Sequence, residues 1–191
     1  MVSALVRPRV EQSQWGWLPL LTAVAVAETV AYAGVARPVV KWPNDVLVGD
    51  RKIAGVLCEV VPEGSATSDS PGPAVVAGWG LNVSQSAEEL PHDAATSLLL
   101  EGADTHRPAL LRHALHRWSH WYRRWEQGDH PGVRLAYESC SSTLGSRVRA
   151  VLPGGRTLEG TAVSLAEGGG LVVRVGAEEV VVAAADVVHL R

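Results

Sequence analysis

The sequence predicts an α/β fold, of the α+β kind, with a small β-barrel attached at its C-terminal end. Two observations carry this prediction. Over the first 140 residues, apolar strand-like segments are interrupted by two long helical segments. After residue 140, short strand-like segments follow one another at about 8–12-residue spacing with glycine-rich turns between them, which is typical of a small barrel. We therefore assign residues 1–140 to one domain and residues 141–191 to a second.

The elements of the first domain follow from the hydrophobic period and from the positions of proline and glycine. Strands are predicted over residues 2–6, 39–42, 46–48, 52–61 and 74–83, with a surface loop at 63–73. A helix over 20–32 is apolar nearly all round, so we expect it to be buried.

A second long helix is predicted over 108–127, followed by a short helical piece at 133–137. At 100° per residue its apolar side chains fall on one arc, which we expect to face the core. The residues of this arc are Leu110, Leu111, Ala114, Leu115, Trp118, Trp121, Tyr122 and Trp125.

The second domain is predicted to contain five short strands. They cover residues 147–152, 158–165, 170–175, 179–184 and 187–190. Its sharpest turns are expected at 153–155 and 168–170, where glycines cluster.

The composition excludes several classes of protein. With 47% hydrophobic residues the chain is a folded globular protein, and a net charge of −3 argues against a nucleic-acid-binding surface. Two cysteines give no disulfide framework, so we expect a reducing, cytoplasmic setting. The apolar run at 18–27 imitates a secretory signal, but Glu11 precedes it, and the run is too short to span a membrane.

The stretch 41–59, K-W-P-N-D-V-L-V-G-D-R-K-I-A-G-V-L-C-E, concentrates residue types that the chain otherwise avoids. The sequence has two lysines against fifteen arginines, two asparagines and one isoleucine. Both lysines, the isoleucine and one asparagine fall within this stretch. Where a disfavoured residue type survives, we infer that substitutes failed.

This stretch is predicted to fold as a hairpin that turns at Gly49–Asp50. Residue 48 then lies opposite 51, 47 opposite 52 and 45 opposite 54, so Asp45 and Lys52 share a face as diagonal neighbours. Spacing alone leaves two readings open. The two side chains either form a solvated surface ion pair or together bind a small anion and its metal ion.

The motif resembles the centre of the biotin protein ligases, in which K-W-P-N-D is followed by a lysine and then a glycine. The residues from Lys41 to Asp45, with Lys52 and Gly55, match it. The G-W-G-L-N at 78–82 and the A-T-S-L at 95–98 resemble further family elements. The resemblance implies a mixed sheet with helices on one side and an SH3-like C-terminal barrel.

It also implies ATP-dependent formation of biotinyl-AMP and transfer of biotin to a lysine of a biotin carboxyl carrier domain. Lys52 would lie beside the biotin carboxylate and the phosphate, and Gly55 would let the backbone approach biotin. Asn44 and Asn82 would orient ATP, and Asp45 would help to hold Mg²⁺. Lys41 and Trp42 are expected to support the hairpin instead of contacting substrate. A homodimer is one assembly that the resemblance allows.

The resemblance has one gap. The family's G-R-G-R-x-G-R loop and its earlier S-T-N-type strand have no counterpart in the sequence. We therefore expect an N-terminally truncated ligase, either because the start codon is placed too late or because the chain is a genuine fragment. Such a chain is expected to be at best a poor catalyst. A lipoate-type ligase and a non-catalytic remnant that binds a partner are the alternatives.

Overall fold

The computed structural model describes residues 1–61 and 72–190. Most of the loop predicted at 63–73 lies outside these residues. The elements, in chain order, are β1 (Val2–Val6), α1 (Trp17–Tyr32), β2 (Val39–Lys41), β3 (Asp45–Val48), β4 (Arg51–Val61), β5 (Ala74–Leu81), α2 (Arg107–Glu126), α3 (His130–Cys140), β6 (Arg147–Val151), β7 (Thr157–Leu165), β8 (Leu171–Val175), β9 (Glu178–Val182) and β10 (Asp186–His189).

The first sheet has the strand order β1-β5-β4-β3-β2. The predicted combination of a sheet and helices is confirmed, but every described strand pair in this sheet is antiparallel, where a mixed sheet was predicted. The short β2–β3 and β3–β4 connections enforce this pairing, because parallel neighbours need a long crossover. Among the described residues, parallel pairing is confined to two isolated bridges, Val40 to Ser141 and Lys52 to Ala95.

Helix α1 is buried on almost every side, as predicted. It lies between the sheet and the other two helices, so both its faces need apolar residues. It begins at Trp17, three residues before the predicted start. Within the described residues, no helix is both long and apolar enough to cross a membrane.

Helix α2 buries a narrower stripe than predicted. Leu110, Ala114 and the three tryptophans of the helix are buried, whereas Leu111 and Leu115 are 43% and 41% exposed. At 100° per residue the buried positions span an arc of about 80°, and the two exposed leucines lie beyond its edge. The packing against α1 therefore covers one side of the apolar arc and leaves its other side exposed.

Helix α3 runs over eleven residues, longer than the piece predicted at 133–137. Asp129 begins it, because its side chain accepts a hydrogen bond from the Gly132 N–H at 3.1 Å.

All five strands predicted after residue 140 are present. They form an antiparallel sheet in the order β10-β6-β7-β8-β9. The turn at 168–170 packs on the start of α1, where the Trp17 indole donates to Glu167 O at 2.6 Å. Arg134 lies over the Trp17 ring and donates to Leu165 O at 2.7 Å. The domain boundary at 140/141 stays a prediction.

Candidate active site

The site is built on the β3–β4 hairpin. Val48 pairs with Arg51 and Leu47 with Lys52, as predicted, but Asp45 pairs with Gly55 instead of residue 54. The predicted register is wrong at this point because Ile53 is an extra residue that forms a β-bulge. The Ile53 side chain is fully buried, so core packing holds the bulge in place.

The prediction that Asp45 and Lys52 share a face of the hairpin is confirmed. Lys52 Nζ lies 2.5 Å from Asp45 Oδ1, and the two side chains are 43% and 22% exposed. At this exposure the pair adds at most about 1 kcal/mol to stability. Its importance is that it fixes a positive charge at a defined point on the sheet.

That charge lies above a part of the sheet that carries few side chains. Lys41, Asp45, Gly55 and Gly80 form one row across four neighbouring strands. A β-carbon built on Gly55 would lie 3.1 Å from both Cε and Nζ of Lys52, whereas one on Gly80 would meet nothing within 4 Å. The glycines therefore leave room for Lys52 and for a ligand to approach the backbone.

Two cavities adjoin Lys52, with volumes of about 360 and 340 Å³. Both are lined by Lys52, Gly55 and Gly80. The first extends toward Asn82 and Gln85, and the second extends over the sheet face toward Ser3, Leu57 and Gly78. One fixed ammonium group thus borders two spaces, each large enough for a small molecule.

The segment 94–98 holds the lysine strand and the Asn82 strand together. The Lys52 N–H donates to Ala94 O at 2.8 Å, and Lys52 O accepts from the Thr96 N–H at 2.9 Å. Asn82 Nδ2 donates to Thr96 O at 2.9 Å, and the Leu98 N–H donates to Asn82 O at 3.0 Å. The A-T-S-L element therefore has a structural role, fixing the backbone at both predicted site residues.

Sequence reasoning missed Glu101, which braces this segment. Its Oε1 accepts from Thr96 Oγ1 at 2.5 Å and from Arg51 at 2.8 Å. Thr96 is fully buried, whereas the Glu101 side chain is 15% exposed. No motif marks Glu101, which lies five residues after Thr96, and the fold brings it to Arg51.

The two predicted nucleotide contacts lie near the site with their amide groups already engaged. Asn44 Nδ2 donates to Val56 O at 2.8 Å, while Asn44 O accepts from the Val56 N–H at 2.9 Å. Asn44 therefore braces the hairpin, and its contact with a nucleotide stays a prediction. Beside Asn82, Gln85 was missed: its Oε1 is buried without a hydrogen-bond partner among the described residues.

Among the described residues, protein groups alone do not form a magnesium site. Within the described ranges, no cluster of three or more His, Cys, Asp or Glu side chains could hold a metal ion. The Asp45 carboxylate, the predicted ligand, is paired with Lys52. A cation here would need most of its ligands from elsewhere, as Mg²⁺ does when it binds through one carboxylate and substrate phosphates.

Comparison with known proteins agrees with this fold. Residues 7–82 match the biotin/lipoate A/B protein ligase family, and residues 143–190 match the biotin protein ligase C terminal domain. The first match contains the hairpin and Asn82, and the second covers the five-stranded sheet. The chain therefore belongs to the biotin protein ligase family.

Among curated relatives, a biotin–[acetyl-CoA-carboxylase] ligase of Mycobacterium tuberculosis is 39% identical over 93% of this chain. The bifunctional ligase/repressor BirA of Bacillus subtilis is 31% identical over 84% of it. The chain spans 64% of the length of the first relative and 47% of the second.

Solved structures of biotin protein ligase from Aquifex aeolicus share the fold. One is 26% identical with a TM-score of 0.78 and is matched over 99% of this chain and 80% of its own. Another, in complex with biotin and ATP, is 25% identical with a TM-score of 0.79, over 98% and 77% of the two chains.

Proposed function

We propose that the chain carries the adenylation site of a biotin protein ligase, which activates biotin with ATP and transfers it to a lysine of a biotin carboxyl carrier domain. One observation carries the proposal: Lys52 is held by Asp45 at the junction of two cavities above Gly55 and Gly80. Two anionic reactants meeting at one point require a fixed positive charge there. The Aquifex aeolicus relative in complex with biotin and ATP supports this pair of ligands.

In the first step, a biotin carboxylate oxygen forms a bond to the α-phosphorus of ATP. The bond from that phosphorus to the bridging oxygen breaks, and pyrophosphate leaves. The Lys52 ammonium reduces repulsion between carboxylate and phosphate and stabilises the charge that develops on the phosphoryl oxygens. In the second step, the neutral amine of the carrier lysine bonds to the acyl carbon and gives up a proton to solvent. The bond from that carbon to the phosphate oxygen breaks, an amide remains, and AMP leaves.

The remaining site residues shape the ligand space. Gly55 lets biotin approach the backbone, and the second cavity offers apolar surface such as Leu57 for its ring system. Asn82 and Asn44 orient the nucleotide through the strand ends that they brace. Asp45 would supply one carboxylate to a Mg²⁺ ion that arrives with ATP.

The partner in this proposal is the carrier domain of a biotin-dependent carboxylase, as the name of the Mycobacterium tuberculosis relative suggests. The cytosol is the expected setting, and dimerisation stays a prediction. Size-exclusion chromatography with light scattering tests the oligomeric state.

The test is to incubate the purified chain with biotin, ATP and Mg²⁺ and to follow pyrophosphate release, then to add a carrier domain and measure covalent biotin by mass spectrometry. We expect slow biotin-dependent release followed by mass gain on the carrier lysine. Lipoate replaces biotin in a parallel reaction. Release supported by lipoate and not by biotin would indicate the lipoate-type alternative.

A non-catalytic remnant gives a third pattern. Such a chain would bind the carrier domain in isothermal titration calorimetry without releasing pyrophosphate with either acid. This result would contradict the proposed catalysis and leave the family assignment intact.

A further inference from the structure

Trp42, the second residue of the K-W-P-N-D motif, is anchored by the C-terminal region. It lies in the turn between β2 and β3 and is only 2% exposed. Its backbone N–H donates to Thr143 Oγ1 at 2.9 Å, and its indole Nε1 donates to Gly169 O at 3.2 Å. Three residues later comes Asp45, so these two bonds fix the backbone that leads into the candidate site.

Thr143 connects Trp42 to the last strand of the second sheet. Its side chain is fully buried, and Thr143 Oγ1 lies 3.1 Å from Nε2 of His189 on β10. Because Oγ1 accepts from Trp42, its own hydrogen can be donated to Nε2. That arrangement requires a neutral His189 ring with its proton on Nδ1.

The surroundings of His189 favour this neutral form. Burial is the main cause that lowers its pKa, and the positive charge of Lys41 on β2 lowers it further, while Asp50 in the β3–β4 turn acts in the opposite direction. Lys41 pairs with Asp45 in the β2–β3 ladder. The electrostatics of His189 are therefore tied to the same row of residues that carries the candidate site.

We propose that Thr143 and His189 are positioning residues that hold Trp42, and with it the turn at 42–44, in the conformation that the adenylation site needs, and that they do so while His189 is neutral. Neither side chain lines the two site cavities, so both act through Trp42. The expected effect on catalysis rests on the proposed ligase function. The hydrogen bonds that link Trp42, Thr143 and His189 do not depend on it.

Protonation of His189 removes the hydrogen bond that Thr143 donates to it. Nε2 then becomes a donor, so Thr143 Oγ1 faces donors from both His189 and Trp42, and its own hydrogen loses its acceptor. The new positive charge also repels Lys41. Both effects loosen the turn that leads to Asp45.

The first experiment follows the Trp42 backbone amide and the His189 ring by NMR between about pH 5 and 8, below and above the ordinary histidine pKa of about 6.5. We expect both signals to titrate with one midpoint that lies below 6.5. His189→Gln should abolish the Trp42 titration, since a glutamine side chain stays neutral and can still accept from Thr143. His116→Gln, at an exposed histidine of α2, is the matched control and should leave the titration unchanged.

The second experiment measures pyrophosphate release by Thr143 variants. Thr143→Val keeps the shape and removes the hydroxyl, and we expect about a tenfold loss, as for one buried hydrogen bond. Thr143→Ser restores the hydroxyl and should recover most of the rate. His189→Gln should also flatten the acidic limb of the pH–rate profile.

A Trp42 amide that ignores pH, or that titrates identically in His189→Gln, would overturn the proposal whether or not the chain is active. If the protein shows the Trp42 titration and releases no pyrophosphate, the hydrogen bonds that link Trp42, Thr143 and His189 are supported. The ligase function is contradicted instead. Equal rates for Thr143→Val and Thr143→Ser would remove the catalytic part of the proposal.

Discussion

Lys52 Nζ lies 2.5 Å from Asp45 Oδ1, although the bulge at Ile53 displaces the two residues from the register of a regular hairpin. The bulge places Asp45 opposite Gly55, and the lysine side chain extends over that glycine. The charge, its counterion and the bare backbone therefore form one unit.

Replacing Lys52 with alanine should lower pyrophosphate release by about 10²-fold or more, because one preorganised electrostatic group is lost. The free energy of unfolding should change by at most about 1 kcal/mol, since the ion pair is partly exposed. Stopped-flow or coupled-enzyme measurement of pyrophosphate gives the rate. Arg149→Ala, which removes a cation from an exposed pair with Glu159, is the control and should leave the rate unchanged. Unchanged turnover in the Lys52 variant would rule out its assigned role.

Replacing Gly55 with alanine should weaken binding of biotin by about tenfold, equivalent to about 1.4 kcal/mol. The added methyl group would meet Lys52 Cε and Nζ at 3.1 Å and displace the ammonium group. Titration calorimetry measures the affinity. If the effect acts through Lys52, Gly55→Ala should have a smaller effect in a Lys52→Ala background, which a double-mutant cycle detects.

Gly80→Ala is the folding control for that substitution. Its methyl group meets nothing within 4 Å, so the thermal unfolding temperature should stay unchanged.

Additive effects of the Lys52 and Gly55 substitutions would show that Gly55 acts independently of the lysine.

Replacing Glu101 with alanine should destabilise the fold by about 1–3 kcal/mol, since the fully buried Thr96 hydroxyl loses its acceptor. Chemical unfolding in urea measures the change. Glu179→Ala is the matched control, because Glu179 pairs with Arg174 on the surface and its loss should cost at most about 1 kcal/mol. Equal losses from the two substitutions would contradict the bracing role of Glu101.

Both cysteine thiols should resist alkylation in the native protein. Burial raises the pKa of Cys58 and of Cys140 from about 9 to about 12, so almost no reactive thiolate forms at pH 8. Iodoacetamide labelling followed by mass spectrometry should show two modified thiols only after denaturation. Rapid native labelling at either cysteine would contradict the burial.

The same shift has a consequence for stability. Below about pH 9 both thiols are protonated in the folded and the unfolded chain, and stability does not depend on them. Between about pH 9 and 12 only the unfolded chain releases these protons, so stability falls as pH rises. Cys58→Ala should reduce this alkaline loss, as measured by unfolding in urea at pH 8 and pH 10.

The order and kind of elements could be predicted from local sequence. Alternating apolar residues, glycine turns and the helical period act over a few residues, and all five C-terminal strands follow from them. The motif at 41–45, with Lys52 and Gly55, indicated the family for the same reason, since all its residues lie close together in the chain.

What local sequence could not decide depended on partners far along the chain. The bulge at Ile53 arises because its side chain is buried in the core and its carbonyl accepts from the Asn82 N–H, 29 residues later. The exposure of Leu111 and Leu115 was decided by how wide a stripe α1 covers, which the period of α2 does not contain. Glu101, Thr143 and His189 carry no motif, and the fold brings Glu101 to Arg51, Thr143 to Trp42 and His189 to Thr143. The sequence by itself determined the elements and the charged hairpin, whereas the tertiary structure decided its register and its support, because those depend on long-range packing and hydrogen bonding.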